Sequence, residues 1–172
     1  MKKFISEVVT PQLNHHKIVK SAKQFSFDIQ HFSITNQTHN TVVSGTDVGD
    51  YIYNQSNSST INVLGGNDTI YNGFSSNYGK NVLINGGDGS DYIWNSHNIS
   101  NVTIVGGSGN DTIINESYNS DGNVYVYNDG DGNDILIGMK SNDSLIIDGT
   151  RKKSRVIMTE IFFLIPKAEC SF

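Results

Sequence analysis

The 172-residue sequence predicts an all-β solenoid, a stack of coils of about 18–23 residues with two short strands each. Three observations predict it. Glycine is plentiful, with 17 residues, and each mid-helix glycine costs about 1 kcal/mol relative to alanine. An aspartate followed by a short apolar strand recurs along the chain. A second apolar run lies between successive copies of that strand.

The aspartate-led strands are Asp50-Tyr-Ile-Tyr-Asn, Asp68-Thr-Ile-Tyr-Asn, Asp91-Tyr-Ile-Trp-Asn, Asp111-Thr-Ile-Ile-Asn and Asp134-Ile-Leu-Ile-Gly, at intervals of 18, 23, 20 and 23 residues. The intervening runs are Ile61–Leu64, Val82–Ile84, Val102–Val105 and Val124–Tyr127. A fixed period of this size marks stacked repeating units. Residues two apart share a strand face, so Asp91 lies with Ile93, Asp111 with Ile113 and Asp134 with Leu136, and Ile52 and Ile70 take the same slot. On the second strand Val82 pairs with Ile84, Val102 with Ile104 and Tyr125 with Tyr127. Val82 and Val102 stand where an aspartate would fall if this half repeated the first. One edge of the coil therefore carries carboxylates and the other aliphatic groups. Coils stacked ~4.8 Å apart would bury the Ile/Leu row against the Val/Ile row in a thin core. Asn54, Asn72, Asn95 and Asn115 close four of the aspartate strands and predict a side-chain amide ladder.

Between Thr41 and Gly149 there are 13 acids and two bases, Lys80 and Lys140, whereas both ends are basic. An acidic centre points to cations and away from nucleic acid, whose phosphates need a basic face. The glycine loops sharpen that reading. Gly86 to Trp94 reads GGDGSDYIW and Gly106 to Ile114 reads GGSGNDTII. Stacking would bring Asp91 and Asp111 to about one strand spacing, where like charges repel by roughly 3.5 kcal/mol at an effective dielectric of 20. Such a repeated collision calls for a bound cation or a proton. Glycine lets carbonyl oxygens turn into a loop without a Cβ in the way. Carbonyls and carboxylates are hard oxygen ligands that suit Ca²⁺, whereas zinc prefers His or Cys, and the loops have neither. The competing reading of any of these aspartates is plain turn chemistry.

The two nonapeptides resemble the hemolysin-type (RTX) calcium-binding repeat, and the likeness extends over about Val42 to Asp148. The resemblance implies a right-handed parallel β-roll with Ca²⁺ held between successive loops, here on one edge. It also implies an extracellular or surface protein of a bacterium, exported by a type I secretion system. Carried onto this chain, Gly86, Gly87, Gly89 and Asp91, and Gly106, Gly107, Gly109 and Asp111, match at every template position. Asp129-Gly130-Asp131-Gly132-Asn133-Asp134 matches except for Asp129 in place of the first glycine. Gly65-Gly66-Asn67-Asp68 is two residues short. Ser44 to Asp50 resembles an opening coil with Val48 at a glycine position, and Asp143 resembles a degenerate closing half-turn. Asp88, Asp121 and Asp131 read as solvated.

Three segments follow: 1–40 as an N-terminal segment whose alternating Phe25, Phe27 and Ile29 suit a β cap, 41–149 as the roll, and 150–172 as an atypical tail. The tail joins a basic run, Arg151 to Arg155, to the apolar run Ile161–Ile165. It reads either as the C-terminal export signal that the resemblance implies or as an aberrant ending. That apolar run is far short of the ~20 residues of a membrane helix. His15, His16, His31, His39 and His97 read as ordinary polar residues. Cys170 is the sole cysteine, which excludes an internal disulfide. The chain holds no HExxH, P-loop or dinucleotide fingerprint, and Asn110 breaks a GxSxG elbow at 106–110. The expectation is a non-enzymatic, extracellular calcium-binding repeat protein. The alternatives are a surface or biofilm adhesion module with a glycan or cell-surface partner, and a carbohydrate-active solenoid enzyme.

Overall fold

The computed structural model describes residues 32–73, 78–116 and 122–149, together with the backbone of 155–159. Phe25, Phe27, Ile29, His15, His16, His31, Asp121, Ile161–Ile165 and Cys170 lie outside the described residues. In chain order the strands are β1 (Phe32–Asn36), β2 (Val42–Thr46), β3 (Asp50–Asn54), β4 (Thr60–Leu64), β5 (Thr69–Asn72), β6 (Leu83–Asp88), β7 (Tyr92–Asn95), β8 (Thr103–Ser108), β9 (Thr112–Asn115), β10 (Val124–Asn128), β11 (Asn133–Ile137), β12 (Ser144–Asp148) and β13 (Arg155–Thr159). No helix occurs among the described residues, so none is long and apolar enough to cross a membrane.

The strands form two parallel sheets. The first runs β1-β3-β5-β7-β9-β11-β13 and the second β2-β4-β6-β8-β10-β12. Odd and even strands alternate between sheets, so the chain winds as a β-solenoid with two strands per coil. The parallel stack extends past the expected 41–149 at both ends. Phe32 pairs with Asp50 across β1 and β3, and Asp134 pairs with Val156 across β11 and β13.

Strand parity sorts the interior as expected. Ile52, Ile70, Ile93, Ile113 and Leu136 from the first sheet meet Ile61, Ile84, Ile104 and Tyr125 from the second. Fully burying one such side chain stabilises by about 1.5–3 kcal/mol, and the thin core has only this double row to draw on. Val82 and Val102 are buried just ahead of β6 and β8, on the edge opposite the aspartates. Asp143 closes that edge: it accepts backbone N–H bonds from Asn123 and Lys140, each at 3.0 Å.

The asparagine ladder is present and starts one coil early. The amide of Asn36 donates to Asn54 Oδ1 at 2.9 Å, Asn54 to Asn72 at 2.7 Å, Asn72 to Asn95 at 2.8 Å and Asn95 to Asn115 at 3.3 Å. Asn72 Nδ2 also donates to the carbonyl of Gly79 at 3.0 Å. These amides are buried, so each must find partners inside the stack.

Two expectations need correction. The glycine segments at 86 and 106 are not free loops, because β6 and β8 run straight through them and pair Gly87 with Gly107 and Asp88 with Ser108. Asp131 is not solvated: it is 8% exposed, and its Oδ2 accepts from the backbone N–H of Asn128 at 2.6 Å.

Asn72 is a central rung of the ladder, bonded to the coils on both sides. Asn72→Ala leaves the Asn54 donor and the Asn95 acceptor short of a bond, at about 1–3 kcal/mol each. It should cost about 3 kcal/mol in denaturant unfolding. Gln55→Ala, at the exposed Gln37–Gln55 pair, should stay within about 0.5 kcal/mol.

Candidate metal centre

Each aspartate enters its strand from a glycine-containing turn, and its side chain points inward on the face shared with the isoleucine two residues later. Asp50, Asp68, Asp91, Asp111 and Asp134 are all buried and form one column along the edge. Their bonding is regular. Asp68 Oδ1 accepts the backbone N–H of Asp50 at 2.6 Å, Asp91 that of Asp68 at 2.8 Å, Asp111 that of Asp91 and Asp134 that of Asp111, both at 2.9 Å. Each carboxylate from Asp68 to Asp134 thus reaches back one coil and caps the preceding aspartate's amide.

The second oxygen distinguishes the positions. Asp50 Oδ2 accepts from the backbone N–H of Thr46 at 2.6 Å and from its hydroxyl at 3.1 Å. The Oδ2 atoms of Asp68, Asp91 and Asp111 are buried with no hydrogen-bond partner. A buried, unpartnered charged oxygen is expensive and calls for a proton or a cation. Burial is the main reason that Asp68 is pushed up to about 6 and Asp91 and Asp111 to about 7. The amide bond to Oδ1 pulls each value down, and neighbouring carboxylates raise it again by a smaller amount. Asp134 is pushed up to about 6 by the same dominant cause. Desolvation therefore outweighs the mutual repulsion expected from the spacing of the aspartates.

What lies beside Oδ2 depends on the facing strand. A Cβ added to Gly86 would strike Asp91 Oδ2 and the Gly106 carbonyl oxygen, and one added to Gly106 would strike Asp111 Oδ2. At these two coils the carboxylate oxygen therefore faces bare backbone. The next glycine, Gly87 or Gly107, has positive φ and packs its Cα against the carbonyl of Leu64 or Gly87 in the preceding coil. Gly89, Gly109 and Gly132 likewise sit against the carbonyls of Gly66, Gly89 and Gly109.

The other turns depart from the template in register. Asn62 pairs with Asn85 and Gly65 with Asp88, so Val63 lies level with Gly86 and Leu64 with Gly87. The turn at Asp68 is thus full length rather than two residues short, and Leu64 adopts φ 76 where the next two coils have Gly87 and Gly107. At the fifth turn Val126 pairs with Val105, which puts Tyr127 level with Gly106. Asp129 does not take the first-glycine place. Its side chain is exposed, and the turn from Tyr127 to Gly132 is two residues longer than that from Gly106 to Gly109. The reason is strand parity: Tyr125 and Tyr127 must both face the core, and this sets the register before the glycines can. A Cβ on Gly130 would meet nothing within 4 Å, in contrast to the close approaches at Gly86 and Gly106. Tyr127 donates its hydroxyl to the Gly132 carbonyl at 2.6 Å.

Among the described residues no three His, Cys, Asp or Glu side chains converge. An ion in this column would complete its shell with backbone carbonyls and water. The donor set is all oxygen, and the orphaned Oδ2 atoms of Asp91 and Asp111 fit a hard cation such as Ca²⁺. Of the histidines described, His39 Nδ1 accepts from Asn57 N–H at 2.8 Å and His97 stands 3.8 Å from Glu116 at the surface, both remote from the column. The amide-capping role of Oδ1 was missed in the sequence reading; the aspartate spacing itself carried that signal. No protein-family model matches the chain, and a search of curated proteins found no significant match.

The pH dependence of the metal-free fold follows from the raised values. A carboxyl group with a folded-state pKa above its unfolded value stabilises the fold below the unfolded pKa and loses that contribution as pH rises. Metal-free protein should therefore be most stable near pH 4 and lose stability up to about pH 7. Asp91→Asn together with Asp111→Asn should flatten the profile in thermal unfolding across this window.

Proposed function

We propose that the chain is a calcium-binding β-roll that works outside the cell, where the ion is plentiful, and without catalysis. One observation carries this reading: two successive coils hold a buried, unpartnered carboxylate oxygen, Asp91 Oδ2 and Asp111 Oδ2, against glycine backbone. As pH rises through about 7 these oxygens lose the proton that would otherwise satisfy them. A divalent cation supplies the missing charge and binds only the stacked state, so it stabilises that state by mass action. The repeat resemblance of Gly86 to Trp94 and Gly106 to Ile114 supports the same ion. Export by a type I secretion system belongs to this proposal and rests on the resemblance alone.

Calcium should act as a folding ligand at about 10⁻⁴–10⁻³ M, the range of extracellular modules. A circular dichroism titration at pH 7.5 should show β signal rising with Ca²⁺ and falling on chelation, with Mg²⁺ a poor substitute because it demands a rigid octahedral shell. Asp111→Ala should weaken the calcium response more than Asp50→Ala, whose second oxygen is already bonded. A spectrum indifferent to both ion and chelator would overturn the proposal.

A second reading, adhesion to glycans, has an observation of its own. Tyr53 and Tyr71 stack at 5.2 Å, and Tyr71 lies 6.3 Å from Tyr92 and 5.9 Å from Trp94, on the outward face of the first sheet. Aromatic rings beside threonine hydroxyls suit sugar faces, although the Tyr53 and Tyr71 rings spend one face on each other. A glycan array with calcium present should then show binding that Trp94→Ala abolishes without altering the calcium titration.

A further inference from the structure

This inference rests on the calcium reading and concerns which coils take the ion. Five residues form a column on the second sheet beside the aspartates: Gly45, Val63, Gly86, Gly106 and Tyr127. They occupy one place in successive coils and differ in how much they leave open. We propose that this column decides ion occupancy, with Gly86 and Gly106 admitting a cation beside Asp91 and Asp111, and Val63 and Tyr127 plugging the equivalent places beside Asp68 and Asp134.

The residues argue for it one at a time. Gly86 and Gly106 are not in the left-handed region, so backbone conformation does not require glycine there. What requires glycine is the contact: a Cβ at either would collide with the carboxylate oxygen of its own coil. The missing side chain thus lets backbone come close to that oxygen, and at Gly86 it brings the Gly106 carbonyl oxygen and Asp91 Oδ2 to the same place. In the Asp68 coil the same place is filled by Val63, which is fully buried in the core cluster. Asp68 Oδ2 is also orphaned, but in its coil register sets an isopropyl side chain where the next two coils have glycine. Such a wall offers a cation no further oxygen, which leaves the proton as the way to satisfy Asp68. Beside Asp134 the place belongs to Tyr127, whose hydroxyl donates to the Gly132 carbonyl, and the small cavity left there is walled mainly by apolar side chains, among them Ile113, Leu136 and Leu145. At the first coil the place is glycine again, Gly45, but Thr46 already donates to both Asp50 oxygens.

Native mass spectrometry of the full chain in calcium counts the ions directly, with folding followed in parallel by circular dichroism. The wild type should bind two. Gly86→Ala should bind one, because the new methyl group takes the space beside Asp91. Val63→Gly should bind three, and Val63→Ala should remain at two, since its Cβ still blocks the place. The gain of an ion in Val63→Gly cannot come from misfolding. If that variant does not fold, the wild-type count still decides: any count from one upward other than two overturns the plug inference while leaving calcium binding intact. An unchanged count in folded Val63→Gly or folded Gly86→Ala overturns it in the same way. No bound ion in the wild type overturns the calcium reading and this inference with it.

Discussion

A carboxylate taken out of water and given only half of its hydrogen bonds is the constraint on which the structure turns. Each aspartate from Asp68 to Asp134 caps the backbone amide of the aspartate one coil earlier. That bond joins neighbouring coils at the edge where β-strands give way to turns, so it belongs to the fold before it belongs to any site. Its consequence is chemical. Holding Oδ1 in the stack drags Oδ2 inside as well, and at three coils nothing in the protein meets it. The solenoid therefore creates a demand for positive charge simply by stacking.

The two edges of the coil answer burial differently. On the asparagine side, a neutral amide carries both donor and acceptor, so a column of identical side chains satisfies itself from Asn36 to Asn115. On the aspartate side, an ionised carboxylate has acceptors only, and a column of identical side chains cannot do so. The same stacking geometry thus yields a self-sufficient ladder on one flank of the isoleucine row and an unfinished one on the other. The core between them is only one double row thick, which makes the polar columns a large share of what holds neighbouring coils in register.

Much of this was legible in the residue order. Period-2 alternation around Ile52, Ile70, Ile93 and Ile113 identified the inner face, because a strand has no other way to present one side. The Asn54 to Asn115 spacing announced the ladder for the same reason. The errors have a common source. Aligning Asp129 with Gly106 by their distance from the next aspartate treated the turn as rigid, whereas the apolar pair Tyr125 and Tyr127 sets the register and the turn absorbs two extra residues. Gly65 and Gly66 looked like a truncated copy of Gly86 and Gly87 because Val63 and Leu64, which fill those places, are not glycine. Asp131 read as solvated because its position in the template is a variable one, yet a longer turn folds it back onto Asn128.

Local pattern was enough to specify a stacked all-β coil with carboxylates along one rim, since period and parity are properties of the chain itself. Which oxygen of each carboxylate would be capped, and what would stand beside the other, depended on residues some 20 positions away brought level by strand pairing. That is a property of register between coils. It is decided by how the whole inner face packs, so Gly86, Val63 and Tyr127 acquire equivalent places only once the coils are stacked.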